Sequence, residues 1–154
     1  MKDNSFSTTI TVEHSAAEAF SAINDPRRWW AGAIEGTTDV LGGEFSYRYQ
    51  DQHFSKQQVT ELVPGRKVVW TVTESALLFV RHTAEWTGTK LEFDLTPKGD
   101  KTEIRFTHLG LVPEFECYGA CSRGWAHLLR QLGAVIAAKA QPDRAQTTDA
   151  LPGA

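Results

Sequence analysis

The chain has 154 residues, of which 41% are apolar and 23% charged, with a formal net charge of -3; this is the composition of one ordinary globular domain, able at this size to bury about 70% of the surface its unfolded form exposes. Lys and Arg are dispersed, so no basic stripe is available for a phosphate backbone and nucleic acid is not expected as a partner. No stretch approaches the ~20 apolar residues that cross a bilayer, and the start MKDNSFSTTITVEHS lacks the basic and apolar regions of a secretory signal, so the expectation is a cytoplasmic protein with no membrane association.

From Ser5 to Glu13 the sequence alternates, with Phe6, Thr8, Ile10 and Val12 on one face, which predicts a half-buried strand. Ser15 followed by Glu18 has the spacing of a capping box, and Ala16, Ala19, Phe20 and Ile23 continue it as a helical stripe. Asn24-Asp25-Pro26 stops that helix, and Arg27-Arg28-Trp29-Trp30 begins a second short turn whose tryptophans need cover. Arg27 and Arg28 are read as a solvated face, with a gate at a pocket mouth or a contact to an anionic group as the alternatives.

Three or four strands are predicted between Gly36 and Glu74, divided at Gly42-Gly43, Asp51-Gln52 and Pro64-Gly65. Phe45, Tyr47 and Tyr49 share one face, as do Val68, Trp70 and Val72, whereas the segment from Phe54 to Val63 alternates poorly and leaves its inward side open. Clear alternation returns at Thr89, Leu91, Phe93 and Leu95; after a turn at Pro97 to Asp100 comes a partner strand with Thr102, Ile104, Phe106 and His108 on one side. A long helix is then predicted from Pro113 to about Lys139, with Cys117, Cys121, Trp125, Leu128, Leu132 and Val135 as the stripe turned toward the sheet. The domain spans residues 1–140, and 141–154, polar and without periodicity, reads as a disordered tail.

Consecutive strands joined by hairpins, followed by one long amphipathic helix, define an α+β fold in which a curved antiparallel sheet of about six or seven strands closes around the C-terminal helix, with two short helices after the first strand. The candidate ligand-binding residues are Tyr47, Tyr49, His53, Trp70, Trp86, His108, Cys117, Cys121 and Trp125, because small-molecule pockets are mostly apolar with a few placed polar groups. His108 stands where a strand ordinarily places Val or Ile, which makes it the candidate acid or base, although a hydrogen-bonded core histidine is the plainer reading. Cys117 and Cys121 are too few for a disulfide framework and lack the second ligand pair of a zinc finger, so packing is their expected role and neither metal nor cofactor is expected.

Several motifs are similar to a known family: Ser15-Ala16-Ala17-Glu18-Ala19-Phe20, Ile23-Asn24-Asp25-Pro26 with Trp29-Trp30, Leu62-Val63-Pro64-Gly65-Arg66-Lys67-Val68-Val69-Trp70, Glu85-Trp86-Thr87-Gly88-Thr89, and Phe106-Thr107-His108-Leu109-Gly110-Leu111 leading to Glu116-Cys117-Tyr118. Over about Phe6 to Ala138 the chain resembles the branch of the START/pollen-allergen superfamily, the helix-grip or SRPBCC proteins, that contains the activator of heat-shock-protein-90 ATPase. The resemblance implies the helix-grip fold; its members include lipid carriers, hormone receptors, polyketide cyclases and co-chaperone modules. The expected function is binding of a small hydrophobic or aromatic molecule without turnover. The alternatives are a cyclase, hydrolase or dehydratase using His108, a co-chaperone-like module with a chaperone partner, and a homodimer built on the apolar run Leu77, Leu78, Phe79 and Val80.

Overall fold

The computed structural model describes residues 5–81 and 83–139. Seven antiparallel strands form one sheet: β1 (Phe6–Val12), β2 (Ala33–Gly36), β3 (Glu44–Tyr49), β4 (His53–Val63), β5 (Lys67–Leu77), β6 (Lys90–Lys98) and β7 (Lys101–Leu109). Their order is β1-β7-β6-β5-β4-β3-β2, so five hairpin-linked neighbours follow the chain and only β1 is displaced, to the far side of β7. The cause is local: α1 (Ala16–Ile23) and a 3-10 turn (Pro26–Arg28) separate β1 from β2 and carry the chain across to the other edge. The last element, α2 (Tyr118–Lys139), packs against β1 and α1. The tail expected at 141–154 lies outside the described residues.

The capping box holds as the spacing predicts. Ser15 Oγ accepts the Glu18 N–H at 3.1 Å, and Glu18 Oε1 accepts the Ser15 N–H at 3.0 Å. The β6–β7 hairpin also stands in the predicted register, with Leu91, Phe93 and Leu95 facing Thr102, Ile104, Phe106 and His108 in the buried layer. Ile23, Phe45, Trp70, Phe93, Phe106, Leu129, Leu132 and Ile136 fill the centre of the core.

Four details depart from the expected pattern. The meander begins at Ala33, because β2 is a short edge strand that pairs Ala33 with Arg48 and Gly36 with Phe45. Gly36 has φ +116, and a Cβ there would run into the Glu44 carbonyl oxygen, so this close approach requires glycine.

The β4–β5 pair contains two register shifts, one between Lys56 and Gln57 and one between Val59 and Glu61. Thr73 is the extra residue of β5, and its hydroxyl donates to the Lys56 carbonyl at 3.2 Å; Thr60 is the extra residue of β4. Each bulge flips the inward parity of its strand. On β5 the buried set passes from Val68, Trp70 and Val72 to Ser75 and Leu77; on β4, Ser55, Gln57 and Val59 face inward before the bulge. Leu77 is therefore core and opposes His53, contrary to its expected place in an exposed run, while Leu78 and Phe79 are exposed.

The long helix starts at Tyr118 rather than at Pro113. Residues 113–117 form turns, and two of their N–H groups are tied to a distant segment: Glu85 receives the Glu116 N–H at 2.9 Å and the Cys117 N–H at 3.3 Å. The buried stripe of α2 is Cys121, Trp125, Leu129, Leu132 and Ile136, continued by Cys117 in the turn before the helix. Leu128 and Val135 lie at its margin, because the helix advances by four residues after Trp125, where the three-residue step was expected.

Candidate functional site

The helix and the sheet meet imperfectly on one side. There a cavity of about 540 Å³ opens between the first half of α2, the ends of β3 and β4, and the loop that carries Trp86. Its volume falls in the range that holds a small organic molecule. The sequence explains why this end is hollow: Ala120 and Gly124 supply almost no side chain along the α2 face beside Cys121 and Trp125.

Rings form the walls. Trp86 and Trp125 stack with centroids 5.8 Å apart and planes 14° from parallel. Trp30 meets Trp125 edge-on at 5.7 Å and Tyr47 at 4.6 Å, and His53 stands edge-on to Trp86 at 4.7 Å. Such T-shaped and offset pairs hold one another in fixed orientations, so the walls are preorganised. Cys121 adds a polarisable patch, and Ala31, Tyr49, Gln52, Phe79, Arg123, His127 and Leu128 complete the lining, with Tyr49, Gln52, Phe79, Arg123 and His127 exposed at its rim.

Of the residues expected at a ligand site, Tyr47, Tyr49, His53, Trp86, Cys121 and Trp125 line this cavity. Trp70, His108 and Cys117 do not. Trp70 is wholly buried among Trp30, Phe45 and Phe93. His108 is likewise wholly buried, one layer behind the wall. The Trp125 indole N–H donates to its Nδ1 at 3.0 Å, which leaves the proton on Nε2, 2.8 Å from the Thr89 hydroxyl; Thr89 in turn donates to the Trp86 carbonyl at 2.6 Å. Burial, assisted by the nearby His53, lowers His108 to about 3, and burial lowers His53 to about 4. Both rings are thus neutral at physiological pH. Tyr47 is also held protonated, burial raising its phenol above the ordinary value.

The two cysteines sit one turn apart with their sulfurs 2.7 Å from each other. Cys121 faces the cavity and its thiol is lowered, chiefly because the Cys117 thiol hydrogen-bonds to it, while Cys117 is raised by the same interaction. Among the described residues no three His, Cys, Asp or Glu side chains converge as a metal site would require. No described helix is long and apolar enough to cross a membrane.

Trp30, Gln52, Phe79, Arg123, His127 and Leu128 were not foreseen as lining. For three of them a signal exists: Arg123, His127 and Leu128 flank the Cys121–Trp125 line at helical spacing, which places them along the border of the buried stripe. Arg27 donates to the Gly36 carbonyl at 2.9 Å beside a separate polar hollow between α1 and the β2–β3 connection, so it does not gate the aromatic cavity.

The family model described as activator of Hsp90 ATPase homolog 1-like protein matches residues 13–137. Solved structures of similar fold include the Aha1 dimer from Colwellia psychrerythraea (23% identity, 86% of this chain and 95% of that one, TM-score 0.71). Another is protein Mll3558 from Rhizobium loti (23% identity, 84% and 94%, TM-score 0.65). A third is CalU16 from Micromonospora echinospora (18% identity, 90% and 79%, TM-score 0.59). A search of curated proteins gave no match. The match of the family model over most of the chain, on a seven-stranded sheet packed against a long C-terminal helix, makes this protein a member of the activator of Hsp90 ATPase homolog 1-like family, with the α+β helix-grip fold.

Proposed function

We propose that the protein binds a small, largely aromatic molecule in the cavity between the sheet and α2, and that it holds this molecule without transforming it. The observation that carries this reading is the cavity itself: about 540 Å³, walled by Trp30, Tyr47, Trp86 and Trp125 in mutually braced orientations. Flat apolar walls of this kind favour flat apolar guests, through buried area and through ring-to-ring geometry. Binding is favoured over turnover because the two buried histidines nearest the aromatic wall, His53 and His108, are poor proton carriers at neutral pH. His108 has both nitrogens committed to hydrogen bonds, and His53 is kept neutral by burial.

The reading is tested with N-phenyl-1-naphthylamine, a neutral aromatic probe that brightens in apolar surroundings. Saturable brightening by the wild-type protein is expected, with loss of most of it in Gly124→Leu. A Cβ at Gly124 meets nothing within 4 Å, so the new side chain fits the helix, whose propensity it improves by up to about 1 kcal/mol, and projects at the cavity. Equal brightening by the variant, or none by the wild type, would remove the cavity as the binding place.

A further inference from the structure

The polar groups of the cavity are not distributed evenly. No Asp or Glu contributes to the lining, whereas Arg123 and His127, one turn apart on α2, stand together at the rim. Both are exposed there, and Gln52 completes the polar part of the rim. Among the described residues Arg123 makes no ion pair with a carboxylate.

Two acids near the start of α2 are engaged elsewhere. Glu85 receives the N–H groups of Glu116 and Cys117, and Glu116 pairs with Arg81. The Arg123 guanidinium folds back over Gly119, where Nη1 would lie 3.4 Å from a Cβ; Gly119 therefore leaves room for it along the helix surface. A cation without a carboxylate partner among the described residues thus sits at the edge of an aromatic chamber whose lining has no Asp or Glu. A guanidinium at such a border is suited to a carboxylate, sulfonate or phosphate, whose planar or forked oxygens it can take pairwise.

We infer that the cavity selects an amphipathic guest, an aromatic body with one anionic group, and that Arg123 is the residue that reads the anion. This deepens the aromatic-binding reading and rests on it. The rings of Trp30, Tyr47, Trp86 and Trp125 receive the body, and the charge remains at the rim beside Arg123, where it keeps part of its hydration. The anion is not carried into the interior, where an unpaired charge would be costly. Specificity then comes from a short lever between stacked rings and one guanidinium, with no buried ion pair needed.

Two probes that share one aromatic skeleton separate the terms: 8-anilinonaphthalene-1-sulfonate, which carries the anion, and N-phenyl-1-naphthylamine, which does not. The wild-type protein is expected to bind the sulfonate more tightly. Arg123→Gln is expected to weaken the sulfonate about tenfold and to change the neutral probe by less than ~2-fold; Arg123→Lys is expected to recover a large part of the loss. Raising salt from ~50 to ~500 mM is expected to weaken the sulfonate alone, since the rim is exposed to screening. If both probes bind and Arg123→Gln affects them equally or not at all, the anion-reading role is overturned while the aromatic cavity stands. If neither probe binds the wild type, the aromatic cavity falls and this inference with it.

Discussion

The Trp125 indole N–H points at Nδ1 of His108 across 3.0 Å, joining the middle of α2 to the end of β7 beneath the cavity wall. This hydrogen bond decides the chemistry of the imidazole. A ring that accepts at Nδ1 and donates from Nε2 to Thr89 has no remaining site for a second proton without breaking the chain that ends on the Trp86 carbonyl. Trp125 and Trp86 are the stacked pair of the wall, so the buried chain fixes from behind the rings that face the cavity.

A pH dependence of stability follows. The folded-state value of His108, about 3, lies below its ordinary value of 6.5, as does that of His53 at about 4. Between those values the unfolded chain takes up protons that the native protein refuses. The stabilising effect of keeping these rings neutral is therefore complete above about pH 6.5 and is lost as pH falls toward 3 to 4, at up to about 1.4 kcal/mol per pH unit for each ring. Urea unfolding at pH 7 and pH 5 is expected to show a loss of at least ~2 kcal/mol at the lower pH, with the His108 resonances retaining the Nε2–H tautomer until the protein unfolds. A flat profile across that interval, or a His108 signal that titrates near 6.5, would contradict the buried neutral ring.

The cavity-facing thiol supplies a second expectation. Cys121 lines the chamber and is lowered by its neighbour, whereas Cys117 is raised and lies behind it. A small maleimide at neutral pH is expected to add once, at Cys121, as read by intact mass; Cys121→Ser should abolish the adduct. Cys117→Ala removes the hydrogen-bond donor that favours the thiolate and is expected to slow labelling by roughly threefold or more. Labelling at Cys117 first would reverse the assignment of the two thiols. Prior occupation of the cavity by an aromatic probe should protect Cys121, which ties this measurement to the proposed binding site.

The α+β fold was legible wherever one side of an element is uniformly apolar. Ser15 with Glu18, the alternation of β6 and β7, and the helical spacing of Cys117, Cys121 and Trp125 each carry a local signal that tertiary packing leaves intact. Strand β4 was not legible, because its inward residues Ser55 and Gln57 are polar and because the bulges at Thr60 and Thr73 change parity inside the strands. Leu77 was misplaced for the same reason: alternation counted from Trp70 points it outward until Thr73 is removed from the count. The site was half legible. Aromatic residues on strands and helix announced a pocket, but which of them face a void depends on where small residues leave space. Trp70 and His108 on one hand, and Tyr47 and Trp125 on the other, look alike until Ala120 and Gly124 are placed in three dimensions.

The loop that holds Trp86 yields the final prediction. Glu85 is half-buried, and its carboxylate receives two N–H groups just before α2, an N-terminal cap supplied from a distant segment of the chain. The same interaction anchors the loop, because the next residue is the Trp86 that stacks on Trp125. Glu85→Ala is therefore expected to cost about 1 kcal/mol of stability, the usual effect of losing a helix cap, and also to loosen one wall of the cavity. Glu85→Gln retains an acceptor oxygen but loses the charge that favours the positive end of the helix, and is expected to fall between the wild type and Glu85→Ala. Binding of N-phenyl-1-naphthylamine distinguishes a local effect from a global one: in Glu85→Ala its affinity should fall even under conditions where circular dichroism shows the protein fully folded. If stability drops while affinity is unchanged, the carboxylate caps α2 but does not hold Trp86 in place, because the aromatic wall would then be fixed by its stacking and by the Thr89–His108 chain alone.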